Sequence, residues 1–341
     1  MKTIELIVPC YNEEKCVALF YDAIVDVFKE LYDYSFILTY IDDGSRDNTL
    51  NEIKKVAIAA EEGKVQYISL SRNFGKESAI YAGLSRSKGD YVALMDVDLQ
   101  HPPQLLIKMI EAIEKEGYDR ATARRISRKG EPLIRSTFSK VFYRIINHVT
   151  VIDLVPGTTD YCLMKRNVVE SIISMGERER FTKGIYAWVG FKNKWIEYKN
   201  VERAAGKTKW NIKGLFHYAY SGFVAFATTP LRGVIYIGIV ITIAAFFYAI
   251  RIGIAAYRNP LAPRTGYASI MMTLLFLGGV IITTLGMIGE YLARIYMEVK
   301  NRPIFIERET NIDNEDVFVG INEEELVKKE SVNKNGIGEI R

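Results

Sequence analysis

Two apolar runs, residues 233–250 and 267–289, constrain this chain more than any other feature. As helices rising about 1.5 Å per residue they reach roughly 27 and 35 Å, enough to cross a hydrocarbon core of about 30 Å. The first two-thirds of the sequence is of another kind. Short apolar runs alternate there with stretches of helical periodicity, the pattern of a soluble α/β domain. A chain that joins such a domain to a membrane is suited to taking one ligand from water and another from lipid.

The alternation can be followed residue by residue. Residues 4–8 form an apolar run ended by Pro9, which reads as a buried strand. Residues 13–32 carry helical spacing, and 36–41 read as a second strand stopped by Asp42-Asp43-Gly44-Ser45. A helix over 49–60, a strand over 65–70 and a helix over 76–87 follow. A fourth strand over 91–95 runs into Asp96-Val97-Asp98, and Pro102 and Pro103 then open a helix to 116, where proline fits the first turn. This order predicts a mostly parallel, Rossmann-like sheet with helices on both faces and ligands at the carboxyl ends of the strands. The polar clusters near Tyr11, Asp43 and Asp98 all fall just after strands.

Charge and cysteine content narrow the setting. With 45 Lys+Arg against 41 Asp+Glu the net charge is only +4, which gives no mandate for nucleic acid and suits a face resting on anionic lipid. Cys10, Cys16 and Cys162 are odd in number and lack Cys-x-x-Cys spacing, so structural zinc and a disulfide framework are not expected. The N-terminal apolar run is too short for a signal peptide and is interrupted by Glu5, so a cytosolic catalytic domain is expected. The segment 124–144 is strongly basic and reads as a loop and helix near the substrate mouth. Residues 211–229 are aromatic-rich and amphipathic, a candidate interfacial helix. The expected organisation is a catalytic domain over 1–210, an interfacial helix over 211–232, a two-helix transmembrane hairpin over 233–298 and a cytosolic tail over 299–341, partly disordered from Glu307 onward. Two spans place both termini on one side. Lys207, Lys209, Lys213, Arg232, Arg294, Lys300 and Arg302 on the flanks outweigh Arg258 and Arg264 in the connecting loop, so that side is expected to be cytoplasmic.

Asp96-Val97-Asp98 is the sharpest local signal. Two carboxylates one residue apart converge on a divalent ion once the strand gives way to a loop, and hard oxygen ligands favour Mg2+ or Mn2+, which bridge diphosphates. Asp42 and Asp43 leave a strand together, and one of them is placed to bind a base or ribose, whereas Asp47 and Thr49 read as a helix start. Tyr11 is placed to stack on a nucleobase and Glu13 to accept from ribose or base, while Glu14 reads as part of a capped helix start. Other chemistries lack their signatures. Gly206-Lys207-Thr208 is half a phosphate loop with Val201 where the first glycine would stand, no Gly-x-Gly-x-x-Gly follows the first strand, and no Gly-x-Ser-x-Gly elbow occurs. His101, His148 and His217 are scattered, and Glu290 and Arg294 read as an interfacial ion pair one helical turn apart.

Taken in order, several motifs resemble the family 2 glycosyltransferases of the GT-A fold, and more narrowly the polyprenyl-phosphate glycosyltransferases such as bactoprenol glucosyltransferases and dolichyl-phosphate mannose synthases. They are residues 8–14, Val-Pro-Cys-Tyr-Asn-Glu-Glu; 42–45, Asp-Asp-Gly-Ser; 71–77, Ser-Arg-Asn-Phe-Gly-Lys-Glu; and 95–103, Met-Asp-Val-Asp-Leu-Gln-His-Pro-Pro. Residues 177–181, 188–191 and 203–210 and the paired apolar runs extend the likeness to about residue 306. The resemblance implies that Pro9, Tyr11, Glu13, Ile41 and Asp43 hold the nucleotide, with Lys76 also on the donor. It implies that Asp96, Val97 and Asp98 line the diphosphate, with Asp98, Gln100 and Asp96 on Mg2+ or Mn2+. Arg125, Arg203 and Lys209 would contact donor or acceptor phosphates, and Asp98, Asp160 and Arg203 would be the catalytic set. Thr159 and Cys162 depart from the family's Gly-Thr-Gly-Asp-Phe-Arg-Leu segment, although Asp160 is kept.

The implied activity is inverting transfer of a sugar, glucose first, from a UDP-sugar to undecaprenyl or another polyprenyl phosphate at the cytosolic face of the cell membrane. The expected partners are the nucleotide sugar, the lipid acceptor and the bilayer, without nucleic acid; a homo-oligomer is left open. Two rivals stand beside it. A processive polysaccharide synthase would share the donor site but carries Gln-x-x-Arg-Trp and more spans, and this chain has no Arg-Trp pair. A non-catalytic membrane scaffold of the same fold would not need the acidic and basic motifs intact.

Overall fold

A computed structural model describes residues 1–126, 155–178, 180–198, 229–258 and 266–312. The basic segment beyond 126, residues 211–228 of the expected interfacial helix, Arg203, Lys209 and the tail beyond 312 lie outside the described residues, whereas 229–232 begin the long helix Thr229–Arg258. The elements run β1 (Lys2–Cys10), α1 (Val17–Phe28), β2 (Tyr34–Asp42), α2 (Thr49–Ala59), β3 (Val65–Leu70), α3 (Lys76–Arg86), β4 (Tyr91–Leu94), α4 (Leu105–Glu114) and β5 (Arg120–Arg125). There follow β6 (Thr158–Lys165), α5 (Arg166–Ile173), α6 (Thr182–Trp188), β7 (Asn193–Tyr198), α7 (Thr229–Arg258), α8 (Tyr267–Val299) and β8 (Glu307–Thr310). The strands form one sheet in the order β7-β5-β6-β4-β1-β2-β3-β8.

The alternation of side chains explains why the central strands are apolar throughout. Ile4, Leu6 and Val8 of β1 join Leu38 and Tyr40 of β2 and Tyr91 and Ala93 of β4 in a core packed under α1, α2 and α4. Ile7, Ile41, Val92 and Leu94 point the other way, into a core with α3, α5 and α6. A strand covered on both faces has no polar side to show, which is how a parallel sheet reads in sequence. An acidic intruder in β1, Glu5, is buried but accepts hydrogen bonds from the Lys88 and Gly89 amides, at 2.7 and 3.0 Å, and from the Thr39 hydroxyl. A buried carboxylate is tolerated when satisfied in this way.

β1 is parallel to both β2 and β4, and β2 is parallel to β3. The chain builds outward from β1 to β3 and then returns to place β4 on the other side of β1. The gap between the carboxyl ends of β1 and β4 is therefore the switch point at which open α/β sheets bind ligands. β6 runs antiparallel to β4, with Leu94 opposite Cys162, so the start of β6 lies at the carboxyl end of β4. β5 and β7 are parallel, with Arg125 opposite Tyr198 at the same end of the sheet.

Each apolar run falls within a single helix, α7 or α8. Phe276–Val299 alone, among the described residues, is long and apolar enough to cross a membrane by length and composition, and it is not buried in the protein. Large apolar side chains stand exposed along both helices, including Ile243, Phe246, Phe247, Ile281, Ile282 and Leu285. Among the described residues, the long apolar and unburied stretch of α8 is suited to lipid rather than water. Glu290 and Arg294 do pair, at 3.3 Å.

The segment after α8 differs from expectation. Residues 307–310 are an ordered strand, antiparallel to β3 at the sheet edge. Its sequence, Glu-Arg-Glu-Thr, offers no apolar face, and its attachment is of another kind. Arg86 donates to both Glu307 oxygens, at 2.9 and 2.6 Å, and Lys54 meets Glu309 at 2.7 Å. The Ser71 amide donates to the Ile306 carbonyl at 2.9 Å, and at the end of α8 Glu298 accepts from the Arg178 amide at 2.9 Å.

Candidate active site

A cleft of about 300 Å3 opens at the switch point, lined by Pro9, Cys10, Tyr11, Glu13, Asp43, Asn73, Gly75, Lys76, Ala79, Asp96, Val97 and Asp98. The expected residues Pro9, Tyr11, Glu13, Asp43, Lys76, Asp96, Val97 and Asp98 are thus brought together. Three neighbouring strand ends supply most of them: Pro9 lies near the end of β1 and Tyr11 and Glu13 follow it, Asp43 follows β2 and Asp96 to Asp98 follow β4, while Lys76 opens α3. Strain is concentrated at the rim. Asn12 and Leu99 both hold positive φ, 52° and 56°, which is uncommon for a side chain as bulky as leucine. The turn at Leu99 lets the Gln100 amide donate to Asp98 Oδ1 at 3.2 Å.

Asp43 is nearly buried and accepts from the amides of Phe74 and Gly75, at 2.7 and 3.0 Å, tying the β2 exit to the start of α3. Burial pushes its carboxyl up to about 6, against the pull of those two donors. Gly44 makes the crossing of loops feasible: its φ is +64°, and a Cβ there would lie 2.7 Å from the Asn73 nitrogen. Asp42 turns away, accepting from the Ser45 amide and the Ser69 hydroxyl.

Lys76 is the hub. Its ammonium lies 2.6 Å from Asp96 Oδ1 and 2.6 Å from Asp160 Oδ2, and Lys183 lies 3.7 Å from the other Asp160 oxygen. Burial would lower the Lys76 ammonium, but the Asp160 and Asp96 carboxylates outweigh it and hold it above its ordinary value. Burial likewise opposes ionisation of Asp160, yet Lys76 and Lys183 keep it well below the usual carboxylate range. The Lys76 side chain remains 40% exposed, so water screens part of this pairing.

His101 stands behind Asp96. Its Nδ1 is 2.6 Å from the Tyr198 hydroxyl, and its Nε2 is 3.9 Å from Asp96 Oδ2. Burial lowers the imidazole below its ordinary value and pushes Tyr198 up to about 12. A neutral ring beside a protonated phenol accepts at Nδ1 and carries its own hydrogen at Nε2, toward Asp96.

Other expected residues fall differently. Ile41 is fully buried, packed against α3 near Gly83, and does not line the cleft. Its side chain therefore packs in the core beneath the Asp42–Asp43 exit. Gln100 bonds Asp98 through its main chain. Arg125 ends β5 beside Gly157, whose carbonyl accepts from the Arg125 amide at 2.9 Å. Arg203 and Lys209 lie outside the described residues. Lys183, His101 and Tyr198 carry no expected role: Lys183, on α6, meets Asp160 at the start of β6, whereas His101 follows Asp96 in the chain and bonds Tyr198 at the end of β7.

Asp96 and Asp98 line one cleft with open space beside them. Among the described residues no group of three or more His, Cys, Asp and Glu side chains converges as a metal cage. A pair of carboxylates without a cage fits Mg2+ or Mn2+, which keeps much of its shell for phosphate oxygens and water.

A switch-point cleft with acidic strand exits and a central lysine defines an α/β domain suited to a diphosphate-bearing ligand. Residues 5–173 match Glycosyl transferase family 2. CsbB of Bacillus subtilis (strain 168), named as a glycosyltransferase, is 42% identical over 92% of this chain and 94% of its own length. The bactoprenol glucosyl transferase of Shigella phage SfII is 38% identical over 91% of this chain and 99% of its own. Among solved structures, the mannosyltransferase PcManGT from Pyrobaculum calidifontis, in complex with GDP-Man and Mn2+, is 16% identical over 86% of each chain with a TM-score of 0.46. The chain belongs to glycosyl transferase family 2, and its α/β domain with a mostly parallel sheet is of the GT-A kind.

Proposed function

We propose that this protein transfers one sugar, glucose in the first instance, from a UDP-sugar to a polyprenyl phosphate such as undecaprenyl phosphate, with inversion, at the cytosolic face of the membrane. The observation that carries the reading is the joining of the cleft to a lipid-suited helix: α8 ends on Arg178, and β8 then closes the catalytic sheet. The pairing of β8 with β3 supports one side of the bilayer for the α/β domain and the chain after α8, with α7 and α8 as the two proposed crossings. Arg232, Arg294, Lys300 and Arg302 on that side favour the cytosol. The name of the phage relative supports a bactoprenol-type acceptor and glucose.

Tyr11, Glu13 and Asp43 are placed for the nucleotide, and Asp96 to Asp98 for the diphosphate. A divalent ion held by Asp98, Asp96 and Gln100 would offset charge on the departing diphosphate. Lys76, already at the cleft wall, places a positive charge beside it. An acceptor phosphate oxygen attacks the anomeric carbon from the face opposite the diphosphate. A carbon–oxygen bond forms, the bond to the leaving phosphate breaks, and its electron pair departs with UDP. A phosphate monoester is largely ionised at neutral pH, its second pKa being about 6, so no proton need be removed.

The test is transfer by the purified full chain with undecaprenyl phosphate, a panel of nucleotide sugars, and Mg2+ or Mn2+, read by mass spectrometry of the lipid. A product heavier by one hexose, lost on chelation, is expected. Folded protein that yields no product with any donor would overturn the reading in favour of a scaffold.

A further inference from the structure

Asp160 does not line the donor cleft. It lies behind Lys76, which does, and its two oxygens are each met by a different lysine, Lys76 at 2.6 Å and Lys183 at 3.7 Å. If the chain is a polyprenyl-phosphate transferase as proposed above, we infer that Lys183 and Lys76 form the seat for the phosphate group of the acceptor, with Asp160 as the counter-ion that keeps the two ammonium groups in place before the acceptor arrives.

The arrangement is built rather than incidental. Glu77, the neighbour of Lys76, accepts from the Thr182 amide at 3.0 Å and from the Thr182 hydroxyl. Thr182 is in turn the neighbour of Lys183. One carboxylate thus clamps the start of α3 to the start of α6 and sets both lysines around Asp160. The loop leading into α6 is pinned as well. Arg180 is buried, donates to the carbonyls of Met175 and, at 3.3 Å, Ile172, and stacks on Tyr81 at 4.4 Å. Neither lysine depends on a mobile surface position.

Charge explains the purpose. With Asp96 counted on the donor side, two ammonium groups face a single carboxylate. A phosphate monoester brings about −1.5 to −2 at neutral pH. Lysine offers a compact charge with three rotatable donors, well matched to phosphate oxygens replacing a carboxylate. Lys76 touches both Asp96 and Asp160, so a phosphate seated on it lies next to the diphosphate subsite, where its oxygen must attack. Asp160 then has no proton to take, because the attacking oxygen carries none. It acts as a positioning residue.

The experiment uses the full chain in lipid nanodiscs, with Lys183→Gln and Lys183→Arg beside the wild type. Steady-state transfer should show KM for undecaprenyl phosphate rising at least tenfold in K183Q, KM for the donor within twofold of wild type, and K183R recovering most of the loss. A second measurement needs no turnover: binding of citronellyl phosphate in the presence of UDP, followed by calorimetry, should weaken about tenfold in K183Q. An unchanged affinity and acceptor KM, or an equal rise in both KM values, overturns the assignment. A wild-type protein that binds citronellyl phosphate through Lys183 yet transfers no sugar would sink the transferase reading while supporting the anion seat.

Discussion

Glu307→Ala should detach β8 from the catalytic sheet far more than its surface position suggests. Arg86 gives Glu307 two parallel charge-assisted bonds, and the Arg86 side chain is only 8% exposed against 20% for Glu307. Removing one partner of so enclosed a pair leaves a guanidinium without its counter-charge, which costs about 3–5 kcal/mol. The Lys54–Glu309 pair on the same strand is different. Its side chains are 34% and 37% exposed, so Lys54→Ala should cost less than about 1 kcal/mol. At about 1.4 kcal/mol per factor of ten, the first change should raise opening of β8 by two powers of ten or more, and the second by about fivefold at most. Hydrogen exchange of peptides covering 303–312 and the Ser71 amide, measured on the full chain in nanodiscs, reads both. Equal exchange in the two variants, or wild-type protection in E307A, would refute the view that the buried bidentate pair dominates this edge.

Asp98→Ala should abolish transfer while leaving membrane insertion intact; substantial turnover by mass spectrometry of the lipid would remove the metal assignment. Asp43 yields a pH prediction. Its carboxyl titrates near 6 in the folded chain against an ordinary 3.8, so the native state binds the proton more tightly. The stability it contributes is full below about pH 4 and is lost as pH rises through 6, by about 3 kcal/mol at most. The Tm of Asp43→Asn relative to wild type should therefore rise between pH 4 and 6 and level off above, and a pH-independent difference would contradict the burial argument. Gly44→Ala forces a Cβ at φ +64° toward the Arg72–Asn73 backbone and should cost about 1–3 kcal/mol. Thermal unfolding and UDP affinity should fall together, since the two loops that would be pushed apart carry Asp43 and Asn73.

The legible parts of this molecule are those where local sequence and global position agree. β1 to β4 are buried on both faces and read as apolar runs, and the acids after them fall at the switch point because strand ends lead there. Asp43, Asp96 and Asp98 could be found for that reason. Asp160 came from resemblance, while its partners were hidden. The contact with Lys76 spans 84 residues, and Lys183 reaches Asp160 only through the antiparallel return of β6 and the Glu77–Thr182 clamp. Ile41, like Asp160, came from resemblance, and the pleat turns its side chain into the core beside α3. β8 was missed because an edge strand held by main-chain bonds and ion pairs has no apolar pattern to display.

The pairing of β8 with β3 joins residues as much as 243 apart, across everything the chain lays down between them. Such a contact forms late, because the loop it closes must first be synthesised and placed. With α7 and α8 read as spans, the last strand of the catalytic sheet becomes available only after membrane integration. On that reading the edge of β3 stays open until the chain has been inserted, so protection of β3 would report correct insertion.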